Sequence, residues 1–362
     1  MTGGRFAAKS VLWTLLPFIL ALAFTSLILM AVGASPLVAY SYMLQGAFGN
    51  AAKIADVFMA WVPLVLCAAG LLFTFTAGLW NIGIEGQMVM GAIATTWVAR
   101  SLDMPSVVLI PLLLIAGAMG GALWALLASI LRTHGKVHEI FAGLGLNFVA
   151  IATTNFLIFG PWKQPGIATM SGTELFRKSA WLPTFGTVSL GPVQLVLVAA
   201  AILLAGVALR GTIWGLRLKA IGKNPRAAFI LGVETERYML LAFAVCGALG
   251  GLAGSLQAIG LFHRLIPSIS SGYGYLAILV CLLAGNRGLW IAPVAFFFAA
   301  ATKGSLQLPL QMQIDSALGG ILQDVLVLLV ILMQGVRSRL ERPPVEEDRP
   351  AGLQPPVGFM ET

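Results

Sequence analysis

The chain has 362 residues, of which 59% are hydrophobic and only 10% are charged. An ordinary soluble domain has roughly 45–50% apolar and about 25% charged residues, so this chain has too little polar sequence to cover a water-facing surface. Its net charge of +8 comes from basic residues spread over short segments between apolar runs, which argues against a nucleic-acid-binding patch. The composition indicates an all-α polytopic membrane protein.

Ten apolar segments approach the roughly 20 residues that a membrane helix needs. They are 11–32, 57–79, 84–99, 106–131, 140–159, 193–209, 238–260, 272–284, 289–308 and 318–334. The first follows Arg5 and Lys9 and is longer than the roughly 7–15 apolar residues of a signal peptide, so we interpret it as an uncleaved anchor. The sequence therefore predicts a transmembrane domain over 11–334 with about ten helices.

The basic residues predict the orientation of these helices. With the first ten residues placed in the cytoplasm, 15 of the 22 Lys and Arg residues fall on the cytoplasmic side. Because Lys and Arg are enriched in cytoplasmic loops, this division favours N-in/C-in topology. A five-plus-five division of the helices would allow an inverted repeat, as in many transporters. Residues 335–362 are Pro-rich and charged, which predicts a disordered cytoplasmic tail.

The three cysteines, Cys67, Cys246 and Cys281, all lie inside apolar segments without metal-ligand spacing. We expect them to be small buried side chains.

A polar, Gly-rich stretch interrupts the apolar pattern between 77 and 87. It places Asn81, Glu85 and Gln87 at or near membrane depth, where an ionisable group is costly and usually faces protein or a water-filled cavity. Broken backbone at that depth is tolerated where it lines such a cavity or is buried in protein. An equally good interpretation is a cytoplasmic hairpin with Glu85 at the interface.

The loop 210–237 contains residues that are typical of the two ends of a short helix. Asn224 suits the N-cap, Pro225 suits the first helical position, and Gly232 suits the left-handed residue after the end. We expect this helix to expose Ala227, Ala228, Phe229 and Leu231. Exposed small and apolar residues favour docking onto another protein, and the alternative is a turn lying on anionic lipid headgroups.

The sequence lacks recognisable catalytic and nucleotide-binding motifs. It contains no G-x-x-x-x-G-K-[ST] phosphate-binding loop and no recognisable set of catalytic residues. His134 and His138 have helical metal-ligand spacing, but no further ligand is evident, so we expect a plain loop and no metal site. If this membrane protein is a transporter driven by ATP, another polypeptide must therefore hydrolyse the ATP.

Four stretches, in order, resemble permease subunits of ABC importers in the simple-sugar and nucleoside branch, which is related to ribose and branched-chain amino acid permeases. They are residues 78–87 followed by Gly91-Ala92, residues 139–147, residues 160–163 followed by Leu182-Pro183, and residues 215–228 followed by Gly232. The stretch 276–285 departs from the pattern and weakens any substrate assignment from that side.

The resemblance implies a permease that moves a nucleoside or related simple sugar inward by alternating access. It implies three partners, namely a second permease subunit, with a heterodimer expected, a cytoplasmic ABC ATPase that holds ATP and Mg²⁺, and an extracytoplasmic substrate-binding lipoprotein. The residues that match the family's ATPase-coupling loop are Gly222, Asn224, Pro225, Ala227, Ala228 and Gly232, and the resemblance implies the same role for them. It implies a place on the translocation path for Asn81, Glu85 and Gln87.

No cofactor, metal or catalytic residue is expected in this chain, and the expected location is a bacterial or archaeal cytoplasmic membrane. The alternative function is a secondary transporter driven by an ion gradient, with Glu85, Asp315 or Asp324 carrying protons.

Overall fold

The computed structural model describes residues 16, 19–20, 22–164, 171–186, 188–285 and 287–313, and residues 321, 324, 325, 328, 329, 332 and 336 beyond them. These residues are predominantly helical, and among them only the isolated bridge between Phe185 and Val188 has β character. The α-helices are α1 (Leu22–Ala31), α2 (Pro36–Phe48), α3 (Ala51–Thr76), α4 (Ile84–Ser101), α5 (Ser106–Thr133), α6 (Glu139–Phe159), α7 (Pro192–Gly211), α8 (Ile213–Lys223), α9 (Pro225–Ile230), α10 (Thr235–Leu256), α11 (Tyr273–Leu283), α12 (Gly288–Ser305) and α13 (Gln307–Met312). A short 3₁₀ turn covers Lys178–Ala180, and a π-helix, Gln257–Phe262, continues α10.

Six of these helical stretches are long and apolar enough to cross a membrane. They are α3, α5, α6, α7, α10 with its π-helix, and α12 with α13, while α1 and α2 pass the same test only as a bent pair. They correspond to six of the ten predicted segments. Segment 84–99 is helical as α4 but less apolar, 272–284 is the shorter α11, and 318–334 lies largely outside the described residues. The ten-helix count therefore stays a prediction.

Helix α3 forms the centre of the bundle over residues 29–323. It is apolar almost all round, which is the pattern of a helix enclosed by neighbours. Helices α7, α10, α11 and α12 pack around it. The thiols of Cys67, Cys246 and Cys281 are buried, as the sequence predicts.

Helices α4, α5 and α10 pack closely through small residues. A Cβ atom added at Gly121 would overlap the backbone of Gly247 and Gly251, so α5 and α10 meet backbone to backbone. Between α4 and α10, the hydroxyls of Thr95 and Ser255 lie 2.7 Å apart. Gly247 and Gly251 are four residues apart, a spacing that predicts such a close approach of two helices.

The polar stretch after α6 folds back onto the end of α10. The N–H groups of Thr173 and Phe176 donate to the carbonyls of Leu265 and His263 at 2.9 and 2.8 Å. The His263 imidazole stacks on the Trp181 ring with centroids 3.9 Å apart. Burial lowers the pKa of His263 below its ordinary value, while a contact with the Ile259 carbonyl opposes that shift.

Candidate functional site

The helical structure is interrupted between α3 and α4, where the glycines in the sequence predict a loosened helix. Gly78 has a φ of +74°, and its N–H donates to Phe75 O at 3.0 Å. Leu79 N–H donates to Thr74 O at 2.9 Å. These two bonds form a Schellman motif, in which a left-handed glycine ends the helix and satisfies its last carbonyls. The chain then continues without helical hydrogen bonding to Ile84.

Two of the predicted path residues pair with each other across the break. Asn81 Nδ2 donates to Gln87 Oε1 at 3.1 Å, and Gln87 Nε2 donates to Asn81 Oδ1 at 3.0 Å. Asn81 Nδ2 also lies 3.1 Å from the sulfur of Cys246 on α10. Both amides are buried. This reciprocal pair satisfies amide groups that would otherwise be costly inside a helical bundle.

Glu85, in the first turn of α4, reaches the start of another helix. Its carboxylate is 4% exposed and accepts the N–H of Gly274 at 2.8 Å. Gly274 belongs to the first turn of α11, which follows Gly272 in the left-handed conformation at φ +74°. The Ser270 hydroxyl also bonds to the carboxylate. A negative charge there interacts favourably with the free N–H groups and positive dipole end of α11.

Asn147 on α6 links the same region, a role that the sequence analysis missed. Its Oδ1 accepts Gly86 N–H at 2.8 Å, and its Nδ2 donates to Ile82 O at 3.0 Å and to Tyr275 Oη at 3.1 Å. One side chain therefore holds the broken backbone, the start of α4 and the start of α11. The available signal was an Asn in the middle of an apolar span, where polar residues are rare and usually paired.

The loop between α7 and α10 contains the capped helix that the sequence predicts. Asn224 Oδ1 accepts Ala227 N–H at 3.0 Å, and Pro225 occupies the first turn of α9. At the other end Gly232, with φ +82°, donates to Phe229 O at 2.9 Å, and Val233 donates to Ala228 O at 3.0 Å. This is a second Schellman motif.

The apolar surface of α9 differs in one position from the expectation. Phe229, Ile230 and Leu231 are 67%, 78% and 82% exposed, and Ala227 is exposed as well. Ala228, expected on the exposed face, is only 2% exposed. Helix α9 packs against α8 and α10, and Ala228 lies on the side of the helix that these neighbours cover.

Gly222, near the end of α8, contacts the broken segment. A Cβ atom at Gly222 would collide with the Thr76 carbonyl, and one at Gly78 would lie 3.3 Å from Gly222 Cα. Nearby, the Trp214 ring packs on Phe73 with centroids 5.3 Å apart. Helix α8 therefore contacts, backbone to backbone, the turn that ends α3 just before the Asn81–Gln87 region.

The histidine-containing turn before α6 is an ion-pair region. Arg132 Nε lies 2.8 Å from Glu139 Oε2, and His138 Nδ1 lies 3.5 Å from the same atom. Among the residues that the structure describes, no group of three or more His, Cys, Asp or Glu side chains could hold a metal ion. Asp324 is among the described residues, whereas Asp315 lies outside them.

Residues 53–333 match a family model described as branched-chain amino acid transport system / permease component. The match spans the broken segment, Asn147, the capped loop and α11.

Curated relatives align over most of the chain. It is 30% identical over 321 residues to the glucose ABC transporter permease protein TsgB13 of Haloferax volcanii, covering 86% of this chain and 84% of that protein. It is 27% identical over 325 residues to the guanosine ABC transporter permease protein NupP of Bacillus subtilis, covering 89% and 93%. The guanosine permease protein NupQ of the same bacterium is 25% identical over 291 residues, covering 78% and 90%. Two different permease proteins of one bacterium are thus similar to this chain.

Proposed function

The chain belongs to the permease-component family of branched-chain amino acid transport systems, and from that premise we propose that it moves a nucleoside or related simple sugar inward across the membrane by alternating access. Family membership and the apolar helices make it a multi-pass protein of a prokaryotic cell membrane. The relatives' names support the substrate class, because they specify glucose and guanosine permeases. None of the comparisons supports the alternative of an ion-gradient-driven secondary transporter.

The observation that carries the proposal is helix α9. It is fixed at both ends by caps and exposes three consecutive apolar side chains, Phe229, Ile230 and Leu231. A rigid, capped helix with an apolar tip is suited to sit in a groove of a separate protein. We assign coupling with a cytoplasmic ATPase to this loop, with Asn224, Pro225 and Gly232 shaping it and Gly222 and Ala228 seating it on the bundle. Ala227 lies on its exposed side.

The partners follow from this role. ATP and Mg²⁺ would be held by the ATPase subunit, and this chain would contribute no site of its own for hydrolysis. The paired Bacillus subtilis relatives support a second permease subunit and a heterodimer. An extracytoplasmic substrate-binding lipoprotein would deliver the solute.

The proposed membrane arrangement keeps ten helices over 11–334, both termini in the cytoplasm and an inverted five-plus-five repeat. The charged segments 1–10 and 335–362 would be cytoplasmic. In this arrangement, the 171–182 loop would face the outside. Single-cysteine labelling tests it, because a cysteine at position 175 should react in intact cells and one at position 216 only after permeabilisation.

We assign Asn81, Glu85 and Gln87 to the wall of the translocation path rather than to its surface. Their side chains are buried and bonded within this chain, so they would shape the path by fixing the break between α3 and α4.

Charge placed on the tip of α9 tests the function. In the tagged chain purified from its native membrane, Leu231→Glu should reduce co-purified ATPase activity by tenfold or more, on the order expected when a central interface side chain is lost. Leu175→Glu is the matched control, because Leu175 is also exposed but lies in the loop at the other end of α7. Gly232→Val, which strains a residue at φ +82°, should act like Leu231→Glu. The proposal fails if all variants keep normal uptake and a protonophore abolishes that uptake while ATP is maintained.

A further inference from the structure

A small cavity lies inside the bundle, away from the break between α3 and α4. It has about 10 Å³ of space for water and is lined by Met59, Val62, Pro63, Gln194, Leu256 and Gln257. Helices α3 and α7 begin near this cavity and α10 ends at it. It therefore lies towards the end of the bundle opposite α8 and α9, which connect the other ends of α7 and α10.

Gln257 is the unusual residue of this cavity. Its side chain is 2% exposed, and neither Oε1 nor Nε2 has a hydrogen-bond partner. Gln257 lies within the apolar span Thr235–Phe262, where lipid offers no hydrogen bonds. Buried polar groups in folded proteins are nearly always hydrogen-bonded to protein or to ordered water. An amide whose oxygen and nitrogen both lack a partner in the protein therefore indicates a place where a ligand binds.

Two further groups add polarity to the same wall. Gln194 is fully buried, and its Oε1 accepts Gly191 N–H at 3.0 Å, while its Nε2 reaches only the weakly accepting sulfur of Met59 at 3.9 Å. Pro63 has no N–H, so it cannot donate to the carbonyl of Met59 four residues earlier in α3. The wall therefore offers both hydrogen-bond donors and hydrogen-bond acceptors.

The backbone at this point is also irregular. Gln257 opens the π-helix Gln257–Phe262, and such π-helical turns inside α-helices occur frequently at functional sites. The loop 171–182 packs over it, since Leu182 N–H donates to the Ile259 carbonyl at 3.3 Å.

We propose that this cavity is a binding site for a single hydroxyl group, which accepts from an amide Nε2 and donates to Gln257 Oε1. A hydroxyl is the smallest group that can both donate and accept, and a space of about 10 Å³ holds about one water-sized oxygen. The lining contains no carboxylate, so a metal cation would have no charged ligand. The hydroxyl is supplied by water or by a hydroxylated solute, and only the second source rests on the proposed transport function.

The site is tested first by density, which does not depend on transport. In a map of the purified wild-type transporter complex that resolves other buried waters, we expect a peak within hydrogen-bonding distance of the Gln257 amide. A peak in solute-free protein identifies water. A peak that forms only when the transported solute is added identifies the solute hydroxyl. Absence of a peak in both conditions overturns the proposal.

A substitution supplies the second measurement. Gln257→Met keeps the side-chain size and removes both hydrogen-bonding ends, and Gln311→Met on the exposed face of α13 is the control. The melting temperatures are measured with the transported solute present, so that either source can fill the site. Gln257→Met should then not raise the melting temperature, and a rise would show that the Gln257 amide has no partner and would overturn the proposal.

Selectivity distinguishes the two sources of the hydroxyl. The ratio of uptake of a nucleoside to that of its deoxy analogues is compared between wild type and Gln257→Met. A loss of roughly threefold to tenfold in one of these ratios assigns the hydroxyl to the solute, and unchanged ratios assign it to water. If wild-type membranes take up neither nucleosides nor sugars, the proposed function fails while the density measurement still decides the site.

Discussion

The Glu85 carboxylate accepts the N–H of Gly274 at 2.8 Å, joining residues 189 positions apart in the chain. It places a negative charge at the first turn of α11, directly after the left-handed Gly272. The cost of a carboxylate in an apolar bundle is thereby offset by donors that a helix start leaves free.

Substitution of Glu85 should therefore destabilise the protein. Glu85→Ala leaves the Gly274 N–H buried without an acceptor, and we expect a loss of about 1.5–3 kcal/mol in the free energy of unfolding, the usual range for a hydrogen bond to a charged group. Glu85→Gln keeps an acceptor oxygen and should lose less. Denaturant unfolding of the detergent-solubilised chain measures both.

Transport per folded molecule separates this role from a direct contact with solute. If Glu85 only holds α11, Glu85→Gln should retain most uptake after correction for the amount of folded protein. Equal stability of wild type and Glu85→Ala would contradict the capping role.

Asn147 should be as important for holding the interruption between α3 and α4 as Asn81, Glu85 and Gln87. Asn147→Leu removes the partners of Gly86 N–H, the Ile82 carbonyl and the Tyr275 hydroxyl at once. Each buried polar group left without a partner costs about 1–3 kcal/mol, so this variant should expose the segment 77–84 to proteolysis. Tyr275→Phe removes only one of the three contacts and should show a smaller effect. Similar proteolysis rates in both variants would mean that Asn147 does not hold the break.

Local features of this chain could be predicted from sequence, and long-range partners could not. Asn224, Pro225 and Gly232 mark α9 correctly because helix caps depend on neighbouring residues alone. The partner of Glu85 and the three contacts of Asn147 depend on how α4, α6 and α11 pack, which no local pattern specifies. The prediction that Ala228 is exposed is wrong because the packing of α9 on α8 and α10, rather than the composition of the helix, decides which face is covered.

His263 should make stability depend on pH in one direction. Burial lowers its pKa below the ordinary value of 6.5, so the folded state resists protonation more than the unfolded state does. Above that value both states are neutral and the shift costs nothing. As pH falls through 6.5, the unfolded state gains a proton first, and stability is lost until the lower pKa of the folded state is passed.

The measurement is the melting temperature of wild type and His263→Gln from pH 8 to pH 5. Wild type should lose more over the lower half of that range, and the difference between the two proteins isolates His263 from the carboxylates, which titrate in both. Parallel curves would mean that the imidazole titrates normally.

The contact between Gly222 and Gly78 supplies the last prediction. The two backbones lie so close that a Cβ atom at Gly222 would collide with the Thr76 carbonyl, and α8 can seat on the end of α3 only with glycine there. Gly222→Ala should push α8 away from the break, at a cost of about 1–3 kcal/mol for an overpacked contact. Gly206→Ala on α7 is the matched control, because a Cβ atom there has nothing within 4 Å. If motion of the loop reaches the Asn81–Gln87 region through this contact, Gly222→Ala should keep the ATPase bound but lose the stimulation of its hydrolysis by solute. A variant as stable and as strongly stimulated as Gly206→Ala would show that the contact is neither tight nor part of the coupling.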